Sequence, residues 1–213
     1  ALRVPAHPIA LALLSQIPFP LAAPSANPFG YISPTTAQHV LDGLAGKIEY
    51  ILDGGSTDLG IESTIIGFDE QERVIVYRLG AVSIESIEAA IGEKVIFTQN
   101  AATQNPQTAG QLKSHYAPNR PLFIGDITSL SKQYQNKKIA TISFYKQYRL
   151  PENVQQFILS ESGDMNEAAR NLFCVLRQVD GLEVEAIIAE ALPNEGLGRA
   201  INDRLHRAQA SMK

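Results

Sequence analysis

The sequence predicts an α/β protein with a mostly parallel sheet, divided into two units by a polar break. Three observations carry this. Short β-branched runs alternate with amphipathic stretches, most regularly after residue 120. Residues 99–110 read QNAATQNPQTAG, which is small, polar and without periodicity, as a linker is. The 213 residues allow one large domain or two small ones. The expected organisation is a first unit at 1–98, a linker at 99–119 and a small α/β unit at 120–213, each unit with its own core.

In the first unit, residues 7–16 have a helical pattern and 21–23 read as a short strand. Ser33-Pro34 opens a second helix over 35–44, with proline at its usual first-turn place. Residues 48–52, 63–66 and 74–77 are rich in strand formers. A helix over 84–91 ends at Gly92, and 95–97 form a last short strand. In the second unit, strands are expected at 121–124, 139–144, 157–160 and 186–189. A short helix follows the first of these, to about Tyr134. The helix at 166–179 carries an apolar stripe of Ala169, Leu172, Phe173 and Leu176, and an amphipathic helix over 197–210 closes the chain.

Hydrophobic residues make up 45% and charged residues 19%, a globular composition. No apolar run approaches the ~18 residues that cross a membrane, so no membrane association is expected. The chain opens on Ala1-Leu2-Arg3 without a signal-peptide pattern. A net charge of −4 argues against a strongly basic nucleic-acid binder, though not against a local basic patch. The single cysteine, Cys174, forms no internal disulfide and reads as a buried small hydrophobe in a reducing compartment. His7, His39, His115 and His206 lack metal-ligand spacing, and His39 and His206 read as solvated helix residues.

Several stretches could carry chemistry. Ala22 through Gly30 reads AAPSANPFG: Ser25 and Asn27 offer hydroxyl and amide groups, and the helix expected near Ser33 offers free N–H groups to an anion. The same stretch also reads as a tight turn. Asp53-Gly54-Gly55 is followed by Gly60-Ile61-Glu62-Ser63-Thr64-Ile65, where strand alternation turns Ser63 away from Glu62 and Thr64. A turn with an incidental polar residue fits as well. Arg3 and Arg78 could each fork onto a carboxylate or phosphate, or be ordinary surface arginines. Gly80, two residues after Arg78, would let a ligand come close. Gly196-Leu197-Gly198 reads as a tight helix start rather than a dinucleotide fingerprint, and no P-loop is present.

Taken in order, these pieces are specific. Arg3-Val4-Pro5-Ala6-His7-Pro8, PSAN at 24–27, Ser33-Pro34-Thr35, DGG at 53–55, GIESTI at 60–65, Arg78-x-Gly80 and SHYAP at 114–118 follow one another along the chain. The series resembles the YrdC-type threonylcarbamoyl-AMP synthases. SHYAP and the tail Gly196-Leu197-Gly198-Arg199-Ala200-Ile201 with Asn202, Arg204 and Leu205 look like the two-domain form. The resemblance implies an open twisted sheet of the YrdC type, truncated at its N-terminus, plus a small Rossmann-like α/β domain. It implies a cytoplasmic nucleotidyltransferase, an L-threonylcarbamoyladenylate synthase, that condenses L-threonine, bicarbonate and ATP, with Mg2+ accompanying the ATP. The products are threonylcarbamoyl-AMP and pyrophosphate, and a separate machinery then modifies tRNA. By the same resemblance Arg3, Ser25 and Ser63 match threonine-binding positions. Ala23, Asn27, Ser33 and Arg78 match nucleotide-binding positions, and Tyr116 matches a residue that closes over ATP.

Phe29 and Leu79 depart from the family pattern, which has serine and proline there. The family's opening segment, with its Lys-x-Arg-type basic motif, is expected before Arg3. Without it the chain is expected to be inactive alone. The rival expectation is a non-catalytic RNA-binding or regulatory protein of the same fold.

Overall fold

In the computed structural model the structure describes residues 2–97 and 115–210. Two sheets organise it. The first holds β1 (Ile65–Phe68), β2 (Val74–Arg78) and β3 (Ile96–Phe97) in that order, with β1 antiparallel and β3 parallel to β2. Asp69 builds the turn between β1 and β2, accepting from the amides of Gln71 and Arg73. Helix α3 (Ile84–Ile91) crosses from β2 to β3. Ser83 caps its start by accepting from the Ser86 amide, and Gly92 ends it at φ 77°, a left-handed conformation that suits glycine.

The second sheet is fully parallel, in the order β4 (Leu122–Ile124), β7 (Ala186–Ala189), β5 (Ile139–Ser143), β6 (Val154–Ile158). β5 and β7 are buried at every position, as central strands covered on both faces must be. Alternation splits their side chains. Ile139, Ala186 and Ile188 face a small cluster with Ile127 of α4 (Ile127–Ser131), while Ala140, Ile142 and Ile187 face α5 (Met165–Asp180) and α6 (Gly196–Gln209). Asp164 caps α5 by accepting from Asn166 and Glu167 amides.

The expectation of separate cores is not met. One apolar cluster joins Ile32, Ile61, Val76, Leu79 and Ile87 of the first unit to Leu172, Phe173, Leu176 and Ile201 of the second. The reason lies in α5. Besides the sheet it packs on, it meets the first unit backbone to backbone: a Cβ built on Gly60 would stand 2.3 Å from the Arg170 carbonyl oxygen. Polar contacts follow the same seam. Arg177 donates to the carbonyls of Ile32 (2.6 Å) and Ser33 (3.2 Å), and Arg170 donates to that of Asp58 (2.9 Å).

Other expectations shift. α1 (Pro8–Ser15) forms, but buries no residue. α2 (Ala37–Leu44) starts later than expected, because the Thr36 side chain accepts from the His39 amide and so fixes the N-cap there. Residues 21–23 and 48–52 are not strands. No described strand lies beside them, and Leu21, Tyr50 and Leu52 are exposed. Leu2, Val4, Phe19 and Leu59 add to this apolar surface. Cys174 is exposed rather than buried. His39 is half-buried, its ring nitrogen accepting from the Thr35 amide. Residues 99–114 of the expected linker lie outside the described residues. The tail of that linker docks: the Ala117 amide donates to the Gly30 carbonyl, and Tyr31 bridges to Ala117.

Candidate functional site

Glu62 organises the site. Its Oε1 accepts from the Ser33 hydroxyl at 2.8 Å, and its Oε2 accepts from Arg204 Nε and Nη2 at 3.2 and 3.1 Å. Its carbonyl accepts from the Ala81 amide at 3.1 Å. Arg204 lies on α6 and is fully buried. Burial pushes the Glu62 carboxyl up, but the Arg204 charge and the Ser33 hydroxyl outweigh it and hold the group below its ordinary value. Removing one partner of such a pair strands a buried charge, at a cost of about 3–5 kcal/mol.

The neighbouring residue joins the second cation. Ser63 presents its carbonyl to Arg78, which donates from Nε (3.1 Å) and Nη2 (2.9 Å). Burial lowers the Arg78 guanidinium, whose field also includes Tyr116, Glu62, Arg204 and Arg3. Arg3 is exposed, yet close enough to Arg78 to act on it. Thr64, the other neighbour, turns away and donates its hydroxyl to the Val82 carbonyl. The three residues 62–64 thus serve three different partners, Ser63 through its backbone carbonyl.

Tyr116 closes the group from the other side. It is 1% exposed, with its ring 5.3 Å from that of Phe173 and the Arg204 guanidinium 5.7 Å from its centre. Burial, with the Glu62 charge, pushes its hydroxyl up to about 12, so it stays a neutral donor. The Tyr116 backbone is left-handed, at φ 62°. His115 packs edge-on against it at 4.1 Å and is shifted down by burial. Downstream, Asp180 clamps the chain by accepting from the amides of Asn119 and Arg120 and from the Tyr31 hydroxyl.

The predicted ligand residues therefore fall into two groups. Ser33, Ser63, Arg78 and Tyr116, with Arg3 nearby, surround Glu62. Ala23 and Ser25 lie on the exposed stretch before α2, and Ser25 makes no side-chain hydrogen bond among the described residues. Asn27 stands between the groups. Its amide donates to the Pro28 and Tyr31 carbonyls, and its buried Oδ1 has no partner among the described residues. An N–H or O–H of a ligand would satisfy that acceptor. A concavity of about 1050 Å3 opens beside it, lined by Phe29, Tyr31, His39, Asp42, Cys174 and Arg177 among others. It contains none of the predicted ligand residues, and the polar network around Glu62 is the better candidate site.

Two expectations about this region need correction and a third is met. The helix N-terminus expected at Ser33 lies four residues on, so Ser33 has no helix amides beside it and turns to Glu62 instead. Gly80 does not open space for a ligand. A Cβ there would meet Thr64 N at 2.2 Å and Glu62 O at 2.3 Å, so the glycine lets two backbone segments touch. Gly198 does likewise against the Pro193 carbonyl, as a tight helix start requires. Reading the sequence missed Arg204 as Glu62's partner. The available signal was its position in the apolar stripe Ala200, Ile201, Leu205, Ala208 of α6, where a charge needs a buried partner.

An α/β protein with a parallel four-stranded sheet, docked on a smaller mixed sheet around a serine- and arginine-lined site, is the class these features define. The chain belongs to the threonylcarbamoyl-AMP synthase family. A family model described as "Threonylcarbamoyl-AMP synthase, C-terminal domain" matches residues 82–210, and one described as "Telomere recombination" matches residues 1–80. A threonylcarbamoyl-AMP synthase of Bacillus subtilis (strain 168) is 36% identical, over 98% of this chain and 62% of its own length. One of Pyrococcus abyssi (strain GE5 / Orsay) is 37% identical, over 98% of this chain and 63% of its own. The crystal structure of a Pyrococcus abyssi relative complexed with L-threonine superposes with a TM-score of 0.81 at 35% identity, covering 97% of this chain and 63% of that one. The open α/β fold with a small Rossmann-like part is therefore that of the family. The chain spans somewhat less than two thirds of the relatives it matches.

Proposed function

We propose that this chain carries the threonine site and part of the nucleotide site of an L-threonylcarbamoyladenylate synthase. The observation that supports this best is the gathering of Ser33, Ser63, Arg78 and Tyr116 around Glu62 in a chain whose structural relative is described with L-threonine. In this reading Arg3, Ser25 and Ser63 hold threonine: the arginine takes the carboxylate and the hydroxyls take the polar groups. Ala23, Asn27, Ser33 and Arg78 surround the nucleotide, and Tyr116 excludes water beside it. The threonine amine and bicarbonate give a carbamate. A carbamate oxygen attacks the α-phosphate of ATP and pyrophosphate leaves. The protein's contribution is orientation and charge neutralisation. Among the described residues no cluster of acids, histidines or cysteines could hold a metal ion. Mg2+ would therefore arrive on the ATP phosphates, with water completing its shell.

The chain by itself should turn over little. Only Arg3 and Arg78 among the proposed ligand residues are cations, whereas a triphosphate needs several donors. The apolar surface of residues 2–21 and 48–59 also lacks a cover among the described residues. The product would pass in the cytoplasm to the machinery that modifies tRNA. Calorimetry with L-threonine and with ATP, then pyrophosphate release with bicarbonate and Mg-ATP, tests the reading. Threonine binding, with turnover rising sharply in a version extended upstream, is the expected result. No threonine binding, together with salt-dependent retention of duplex RNA, would replace it with an RNA-binding role.

A further inference from the structure

The residues proposed to touch ligand belong to the first unit and to the docked strip at 115–119, yet their shared partner is held by the last helix. We propose that Arg204, on α6, is a positioning residue for that site, acting through Glu62. The inference rests on the proposed function for its consequence, not for its geometry.

Arg204 has no exposed surface, so its role is indirect. Its fork closes on one Glu62 oxygen, while its Nη1 donates to the Ala200 carbonyl one turn back on α6. Nη1 also lies 3.5 Å from Asp203 Oδ2, a second anion on the same helix. The guanidinium is thereby fixed from behind. Glu62 passes the constraint on in three directions. Its free oxygen holds the Ser33 hydroxyl. Its carbonyl holds the Ala81 amide, at the exit of the Arg78 strand. Its peptide continues into Ser63, whose carbonyl takes both Arg78 donors. The same guanidinium lies over the Tyr116 ring. One buried cation thus sets the positions of a proposed threonine residue and three proposed nucleotide residues.

A purely structural strut would lower stability and leave the folded fraction's affinity alone. A positioning residue changes both, and does so only while Glu62 is present. The test uses this chain with Arg204→Met, Arg204→Lys, Glu62→Gln and the double variant Glu62→Gln/Arg204→Met. Calorimetry of folded protein should show threonine binding at least tenfold weaker in Arg204→Met and less weakened in Arg204→Lys, which restores charge without the fork. In the Glu62→Gln background the same Met substitution should cost less than twofold, because the charge through which it mainly acts is gone. Independently of any ligand, amide exchange at Thr35, Ala81 and Val82, whose N–H groups are bonded to His39, the Glu62 carbonyl and the Thr64 hydroxyl, should speed at least tenfold in Arg204→Met while β5 and β7 keep their protection. Threonine affinity within twofold of wild type, or unchanged exchange at those residues, would overturn the proposal. If the unaltered chain binds no threonine, the functional reading falls and the exchange data alone decide the positioning role. If Arg204→Met does not fold, Arg204→Lys and Glu62→Gln carry the same comparison.

Discussion

Gly80→Ala gives the sharpest test of how the site is assembled. The added Cβ would stand 2.2 Å from Thr64 N and 2.3 Å from both Glu62 O and Ser63 C, all backbone atoms. Real contacts there need at least 3.0 Å, so residues 62–64 and 80 must part by nearly an ångström. That movement breaks into the bonds that span the gap, Ala81 N to Glu62 O and Val82 N to Thr64 Oγ1. Overpacking costs about 1–3 kcal/mol, and losing one or two hydrogen bonds adds about 1 kcal/mol each. The total is about 2–5 kcal/mol, or roughly 4–20 °C in Tm at this chain length. Urea unfolding of the variant, beside Gly92→Ala, measures it. Gly92 has φ 77° and nothing within 4 Å of a built Cβ, so its alanine pays only for conformation, about 1–2 kcal/mol. Gly80→Ala melting within about 2 °C of wild type, or costing no more than Gly92→Ala, would refute the reading of Gly80 as a backbone contact.

Two further predictions concern the core and pH. Leu172→Ala empties a fully buried position of the shared cluster and should cost about 2–5 kcal/mol. Exchange protection should fall together in β2 and β5, whereas a loss confined to the second sheet would contradict the shared core. His39 is shifted down by burial and then by the Arg177 charge, and His115 is shifted down mainly by burial. Between their lowered values and the ordinary 6.5 the unfolded chain binds more protons than the folded one, so stability should rise with pH there. It is fully present above 6.5 and lost as pH falls through the folded values. The double variant His39→Gln/His115→Gln should flatten the slope below pH 6.5 in urea titrations, and an unaltered slope there would assign it to other groups.

What the sequence made legible was whatever local chemistry decides. The stripe on α5, the all-apolar run of β7 and the Gly92 stop of α3 each encode their element within a few residues. The strands expected at 21–23 and 48–52 fail because a strand exists only beside another strand, and propensity does not say whether one is there. α2 starts late for a related reason, since Thr36 competes with Pro34 to open the helix and wins through a side-chain bond. For the site, the ordered motifs marked Ser63, Arg78 and Tyr116, but not what joins them. Glu62 and Arg204 are 142 residues apart, and no periodicity links residues across such a distance. The separate cores failed similarly: a polar stretch in the sequence predicts a crossing, not an absence of contact across it.

The seam also dictates when the molecule can be finished. Tyr31 meets Asp180 across 149 positions of chain, Ile32 meets Arg177 across 145, and Glu62 meets Arg204 across 142. During synthesis at about 5–20 residues per second, Glu62 would wait about 7–28 s before Arg204 is even polymerised. Through that interval a carboxylate destined for burial has no cation, and Ile32, Ile61 and Val76 have no α5 to cover them. The nascent first unit therefore keeps an unfinished surface until α5 and α6 have left the ribosome.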